Sequence, residues 1–440
     1  MIRKIKENTK NKLAIVAVAL VFICLFLIVH FTDSTSKNSN TSNSIQHKSN
    51  EKDSAALAQE SQKQREEFLK AASAESDDTC IVIHVSNPED ASYTIDSYAG
   101  KSIKRVFNGR RINIAITGLD NRLGTSSNHA DANHVLSILI DSAAAEIISV
   151  PRDTPAEAGM PDTSGQNKLT IVRAVRGREA YHKELARIAG LDKIHYYVEV
   201  GFSQVIGILD FLGYKDPRST LQVLRSRTAL GGDDYQRCYN QGQFIRQMLL
   251  RHFTSLTGEI GEVLLTGGLS LVNTNLTPSV VKGIISALSQ KNFPFSGSGI
   301  TIKVRPPVPI DYKVYDFTNQ NTVDNLQKKI EYKNSKSIDD SLKVVVNVAS
   351  KLKKLISSAI ADTAKHPERA IKTLSIYFEQ HAWLQVTDIN TRNLLRDEIA
   401  NILITCYNKK KQYESANKVK ATVEAEKAMF SKQIKKINLK

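Results

Sequence analysis

The strongest patterning in the chain lies between residues 111 and 153. Three short apolar, β-branched runs, 112–116, 135–140 and 147–150, each stop at a polar or charged cluster. Runs of this length ending abruptly in charge predict buried strands that feed loops at a sheet edge. Residues 193–200 predict another strand. The helix that follows has Phe202, Val205, Ile206, Leu209 and Leu212 on one stripe and Gly213 as its stop. That stripe reads first as the side turned to the core. Residues 80–85 and 93–95 are predicted strands decorating the edge of the main sheet, 168–189 a helix, 219–227 a short strand or turn, and 300–304 a strand. Thr277 as N-cap and Pro278 in the first turn start a helix over 277–288. Beyond residue 335 the pattern turns wholly helical, over 344–361, 370–383, 394–407 and 413–430.

Two segments outside this body set its surroundings. Residues 1–12 are a basic tail, and an unbroken apolar run follows from 13 to 29. Its length is near the roughly 17–25 residues that span a bilayer, so 13–31 is expected to be a transmembrane signal anchor. Basic residues before the run and few after it predict a cytoplasmic N-terminus and a body outside the membrane. Residues 32–75 are a polar tether with a short helical segment. They lead to the main α/β body at 76–330, whose core is 111–255, and then to a basic helical module at 335–440. Net charge is +15, which favours anionic partners. No helix-turn-helix or basic recognition helix stands out, so nucleic acid is not among the expected partners. Residues 408–440 hold ten lysines and three glutamates. A solvated helix face is the simple reading of that run, and contact with an anionic polymer, acidic lipid heads or a partner protein is the functional one. The four cysteines, Cys24, Cys80, Cys238 and Cys406, have no metal-ligand spacing.

The polar clusters at the strand ends carry the chemistry. Ligands of open α/β sheets sit where strands end, so Asp120, Arg122, Asp131, Arg152 and Asp153 are expected to converge. Arginines concentrated there suit a bound anion, with the carboxylates either holding a metal or orienting the arginines. For any one of these residues alone, a solvated strand-end ion pair explains as much.

Taken together, the order Gly118-x-Asp120-x-Arg122, Asp131, Ser149-Val-Pro151-Arg152-Asp153, His195-Tyr-Tyr-Val-Glu-Val, Leu-Arg225-Ser-Arg227 and Asp234-Tyr-x-Arg237-x-x-x-Gln241 resembles the LytR-CpsA-Psr family of cell-envelope proteins. The resemblance implies an αβα sandwich around a central mixed β-sheet, with a polyprenyl tail in an apolar groove and a pyrophosphate at its mouth. The implied activity is phosphotransfer of a glycopolymer from a polyprenyl-pyrophosphate carrier onto peptidoglycan or another wall acceptor. By the same resemblance Arg152, Arg225, Arg227 and Arg237 act on the pyrophosphate, with Gln241 beside them. Asp120 and Asp131 hold Mg²⁺, and Arg122 and Asp153 contact substrate, while His129, which departs from the family pattern, is a candidate substrate contact on its own chemistry. Either Asp153 or Asp234 aims an arginine. Phe202, Ile206 and Leu209 form a candidate wall of the lipid groove. The chain departs from the family pattern twice. His129-Ala130-Asp131-Ala132 stands where the family has Arg-Ser-Asp-Thr, and Asn240 stands where it has a second helix arginine. A protonated His129 would restore part of the lost charge, since imidazole titrates near neutrality. The alternative function is a non-catalytic envelope protein that binds carrier-linked precursors or wall polymer and scaffolds partners through its helical C-terminus.

Overall fold

The computed structural model describes residues 81–84, 93–96, 101–104 and 110–438, apart from 228–229, 231–232, 254–258, 294–298, 309 and 337–346. The anchor expected at 13–31 and the tether at 32–75 lie outside the described residues. Among the described residues no helix is long and apolar enough to cross a membrane.

Ten strands are described: β1 (Ile81–His84), β2 (Tyr93–Asp96), β3 (Lys101–Lys104), β4 (Arg111–Leu119), β5 (Ala130–Leu139), β6 (Ala144–Val150), β7 (Tyr196–Val200), β8 (Asn273–Thr274), β9 (Ile300–Val304) and β10 (Asp311–Val314). Eight of them form one mixed sheet in the order β3-β2-β9-β6-β5-β4-β7-β8. The antiparallel β4-β5-β6 centre is flanked by parallel β7 and β9. The expectation for 80–85 needs correction. β1 pairs with β10 in a separate two-stranded sheet, whereas β2 does join the main one through β9.

Strand residues alternate between two buried faces, as the period of two requires. Ala115, Val135 and Ile148 pack with Leu169, Val172, Tyr181 and Leu185 of α1 (Leu169–Val175) and α2 (Gly177–Ala189). Their neighbours Ile114, Ile116, Leu136, Ile138 and Ile147 join the larger core on the other side. Helices therefore cover both faces, and the αβα layering is present. The single helix expected over 168–189 is two, divided at Gly177, whose φ of 81° is left-handed.

The next elements are α3 (Phe202–Phe211) and α4 (Pro217–Arg225). The second corrects the expected strand or turn at 219–227. Asp216 accepts hydrogen bonds from Arg218 N and Ser219 N, both at 3.0 Å, and Pro217 occupies the first turn. Thr220, Val223 and Leu224 form the buried stripe. Then come α5 (Asp233–His252), α6 (Glu259–Leu271), α7 (Pro278–Ser289) and α8 (Gln320–Lys336). The start of α7 is capped by Thr277 as its sequence predicts.

The C-terminal helices are α9 (Val348–Thr363), α10 (Pro367–Glu379), α11 (Ile389–Lys409) and α12 (Tyr413–Asn438), with a 3-10 turn at Ala382–Gln385. Their core is continuous with that of the sheet. Small residues allow this close approach. A Cβ on Gly267 of α6 would stand 2.5 Å from Met429 Cβ, and one on Gly207 of α3 would stand 2.6 Å from Leu384. Arg392 and Asp210 add an ion pair at 2.6 Å, and Phe430 meets Phe211 edge-on at 5.7 Å. Within the helical layer, fully buried Glu426 accepts from Trp383 Nε1 at 3.0 Å and Arg396 at 3.2 Å, and lies 3.2 Å from His381 Nδ1. Burial alone would raise the Glu426 pKa, but His381 and Arg396 hold it below the usual carboxylate range.

A candidate anion site at the sheet edge

The site is assembled at one end of the central strands. The β4–β5 register shifts between Gly118 and Leu119, so Leu119 faces Ala130 while Gly118 faces Ala132. Asp131 is the residue left over, and a bulge of this kind re-aims its side chain. The glycine suits that irregularity, because a Cβ on Gly118 would approach Ala132 Cβ to 3.0 Å. Asp120 follows the same strand end, and the loop beyond it closes through Asp120 N donating to His129 O at 2.9 Å. Strand β6 delivers Arg152 and Asp153, helix α4 ends at Arg225, and α5 begins with Asp233 and Asp234.

Five predicted residues and two neighbours form one ion-pair network. Arg152 NH1 donates to Asp131 Oδ1 at 2.5 Å, and the Arg152 backbone N–H donates to Asp234 Oδ2 at 3.2 Å. Asp234 Oδ1 also takes Arg227 Nε at 3.0 Å and Arg237 NH2 at 2.6 Å. Asp153 holds Arg227 NH2 at 2.9 Å and Lys168 Nζ at 3.4 Å. Both acids expected to aim an arginine contact one, and they share Arg227. Arg237 NH2 reaches the Asp131 carbonyl at 3.0 Å. Burial alone would lower the Arg152 pKa, but Asp131, Asp153 and Asp234 raise it above the ordinary value. Burial alone would raise Asp153, but Lys168, Arg227 and Arg152 hold it low.

Arg225 is held differently. Its guanidinium lies 4.1 Å from the centre of the Phe202 ring, and it has no ion pair among the described residues. Crowding by protein lowers its pKa, while the nearby Asp120 and Asp131 carboxylates act in the opposite sense. An aromatic platform orients a guanidinium without occupying its N–H groups, which leaves the fork for an anion.

The remaining predicted residues have other surroundings. Gln241 is committed within the protein: its Oε1 lies 3.1 Å from His134 Nε2, and its Nε2 donates to Leu224 O at 2.9 Å. Ile206 and Leu209 are core residues, 8% and 1% exposed. The Arg122 side chain is exposed, and the His129 imidazole makes no hydrogen bond to a described residue. Asn240, at the departing helix position, is buried with its Oδ1 taken by Gln236.

Sequence reasoning missed two groups. His134 on β5 is 2% exposed and bonds Ser149 Oγ at 2.8 Å. Burial above all, aided by Arg237, lowers its pKa to about 4 despite the Gln241 contact, so it is neutral at pH 7. Only its place in an otherwise apolar strand marked it. The other is Gln380, at the end of α10. Its Oε1 accepts from Gly124 N at 2.8 Å, and its Nε2 donates to Arg122 O at 3.2 Å and Thr125 O at 2.7 Å. Lys351 Nζ adds a bond to Leu123 O at 3.2 Å. The C-terminal helices thus grip the loop that carries Asp120 and Arg122. Gly124, at φ 81°, sits so close to Tyr377 that a Cβ would stand 2.3 Å from its hydroxyl.

Among the described residues no three His, Cys, Asp or Glu side chains converge as an all-protein metal site. The available donors are the two strand-end carboxylates, Asp120 and Asp131, of which Asp131 already shares one oxygen with Arg152. Two carboxylates completed by water and substrate oxygens match Mg²⁺, which seldom takes an all-protein cage.

Residues 79–213 match the model of the LytR_cpsA_psr family. No curated protein matches the chain. Among solved structures, the chain is similar to B. subtilis TagV, at 16% identity and a TM-score of 0.38 over 51% of this chain and 99% of that one. It is similar to protein gbs0355 from Streptococcus agalactiae at 13% identity and a TM-score of 0.36, covering 50% and 88% of the two chains. The corresponding values for TagT bound to LIIa-WTA are 17%, 0.29, 57% and 98%.

Proposed function

We propose, on the premise that residues 79–213 belong to the LytR-CpsA-Psr family of cell-wall glycopolymer transferases, that this chain moves a glycopolymer from a polyprenyl-pyrophosphate carrier onto peptidoglycan or another envelope acceptor. The observation that carries the reading is the gathering of Arg152, Arg227 and Arg237, held by Asp131, Asp153 and Asp234, with Arg225 on the Phe202 ring beside them. In the reaction an acceptor hydroxyl oxygen bonds to the sugar-side phosphorus. The phosphorus–oxygen bond to the carrier-side phosphate breaks, the hydroxyl proton is lost, and polyprenyl phosphate leaves. Such a step asks the protein for positioning and charge stabilisation. Guanidinium forks supply both, because they bind phosphate oxygens bidentately and stay charged. The Asp131 and Asp234 contacts fix the Arg152, Arg227 and Arg237 guanidinium groups, so less ordering is left to the moment of binding. Mg²⁺ held by Asp120 and Asp131 would supply further neutralisation of the phosphate oxygens.

The body is proposed to act outside the membrane, tethered by residues 13–31. The test is release of polyprenyl phosphate from a carrier-linked oligosaccharide by the full chain with Mg²⁺. Release should fall by roughly a hundredfold or more in Arg152→Ala, the cost of one or two charged hydrogen bonds. Tight binding of the carrier-linked substrate without release would instead identify the non-catalytic binding protein.

A further inference from the structure

Between the β7–β8 edge of the sheet and the C-terminal helices lies a cleft of about 930 Å³, within the roughly 300–1,000 Å³ of small-ligand sites. One wall is the loop of Asn121, Ser126 and Asn128, and the other is formed by α10, α11 and α12. Gln380 ties the two walls together. The same loop carries Asp120 and Arg122, so the cleft adjoins the arginine cluster.

The two sites differ in charge. At the floor of the cleft, Arg173 and Glu199 are spent on each other at 2.6 and 3.0 Å, and Glu199 takes Arg178 as well. Glu379 and Lys418, one of each sign, are exposed at the rim. A phosphate would find no free guanidinium there. What the cleft offers is neutral. The hydroxyls of Ser126, Ser375, Ser415 and Thr422 make no hydrogen bond to any described residue. Phe378 and Tyr407 add aromatic surface beside them. Unused hydroxyls next to flat apolar surface match a ring that is polar at its edge and apolar on its faces.

We infer that this cleft binds an uncharged saccharide segment beside the pyrophosphate, which makes the C-terminal helices part of the substrate site; the inference rests on the transferase reading for the identity of its ligand. A carrier-linked glycan begins at the pyrophosphate, and an acceptor glycan must reach it, so either brings sugar to the loop at 121–128.

The test is calorimetric titration of the full chain, in a sugar-free detergent, with a neutral N-acetylglucosamine tetramer. Binding should weaken roughly five- to tenfold in Tyr407→Ala, the loss of one aromatic contact. It should disappear in Ser375→Phe, which fills the cleft, and persist in Arg152→Ala. Displacement of the tetramer by carrier-linked donor would assign the cleft to the donor glycan, and binding that survives donor would assign it to the acceptor. Absence of tetramer binding at millimolar concentration overturns the inference. So does binding indifferent to Tyr407→Ala and Ser375→Phe, or preference for an anionic tetragalacturonate. Arg152-dependent polyprenyl phosphate release in a chain that binds no tetramer would leave the transferase reading standing while this inference falls. Cleft-dependent tetramer binding in a chain that releases nothing would do the reverse.

Discussion

Replacing Gln380 with alanine tests whether the C-terminal helices position the loop of Asp120 and Arg122. The side chain makes three hydrogen bonds to that loop, at 2.8, 3.2 and 2.7 Å, and is 8% exposed. At about 0.5–1.5 kcal/mol each their sum is roughly 1.5–4.5 kcal/mol. The loop faces water on its other side, and solvent replaces part of the loss, so about 2 kcal/mol of local stability should go. Opening of the loop then becomes roughly thirtyfold more frequent, readable as faster hydrogen exchange at the Gly124 amide. Polyprenyl phosphate release should slow in kcat more than in KM, because the loop is misplaced while the arginines are intact. Gln380→Glu keeps an acceptor for Gly124 but sets a carboxylate against the carbonyls of Arg122 and Thr125, so it should do no better. Unchanged Gly124 protection in Gln380→Ala, with Trp383 fluorescence still native, would refute the reasoning.

Other outcomes follow from the same geometry. Asp234→Ala removes one of the two carboxylates on Arg227 and the ion pair of Arg237, at 3.0 and 2.6 Å, leaving Asp153 and the Asp131 carbonyl to hold them, and should cut kcat/KM for release roughly tenfold, whereas Asp234→Asn should retain part of it. His134 has its pKa lowered from 6.5 to about 4. Between those values the unfolded chain binds a proton that the folded chain refuses, so stability should fall by about 3 kcal/mol as pH drops from 6.5 to 4 and level off below. Urea midpoints of His134→Gln should lack that component. Glu426→Ala removes the buried partner of Arg396, whose Nε keeps only the half-exposed Asp397 at 2.9 Å, and strips the acceptor from Trp383 Nε1, which should cost roughly 2–4 kcal/mol and alter Trp383 emission. Glu426→Gln should lose less.

Much of this protein was legible in the chain itself. Strands β4, β5, β6 and β9 are written in β-branched runs that stop at charge, and α7 in Thr277 and Pro278, because these signals act over a few residues. The meeting of Asp131, Arg152 and Asp153 was also legible, since strand ends of one sheet must lie near one another, whereas Arg225, Arg227 and Arg237, on or beside helices, came only from the family resemblance. Helix α4 was expected as a short strand or turn, although Asp216 and Pro217 are the local start signal it uses. Tertiary structure alone decided the rest. Whether Ile206 and Leu209 line a groove or fill a core depends on what covers α3, and Leu384 seated on Gly207 comes from far along the chain. The same holds for Gln380, an ordinary amide at a helix end that meets Gly124 across 256 positions. Local periodicity determines elements and their buried faces. Which faces meet, and which polar side chain closes the gap between them, is set by packing among segments whose sequences carry no record of one another.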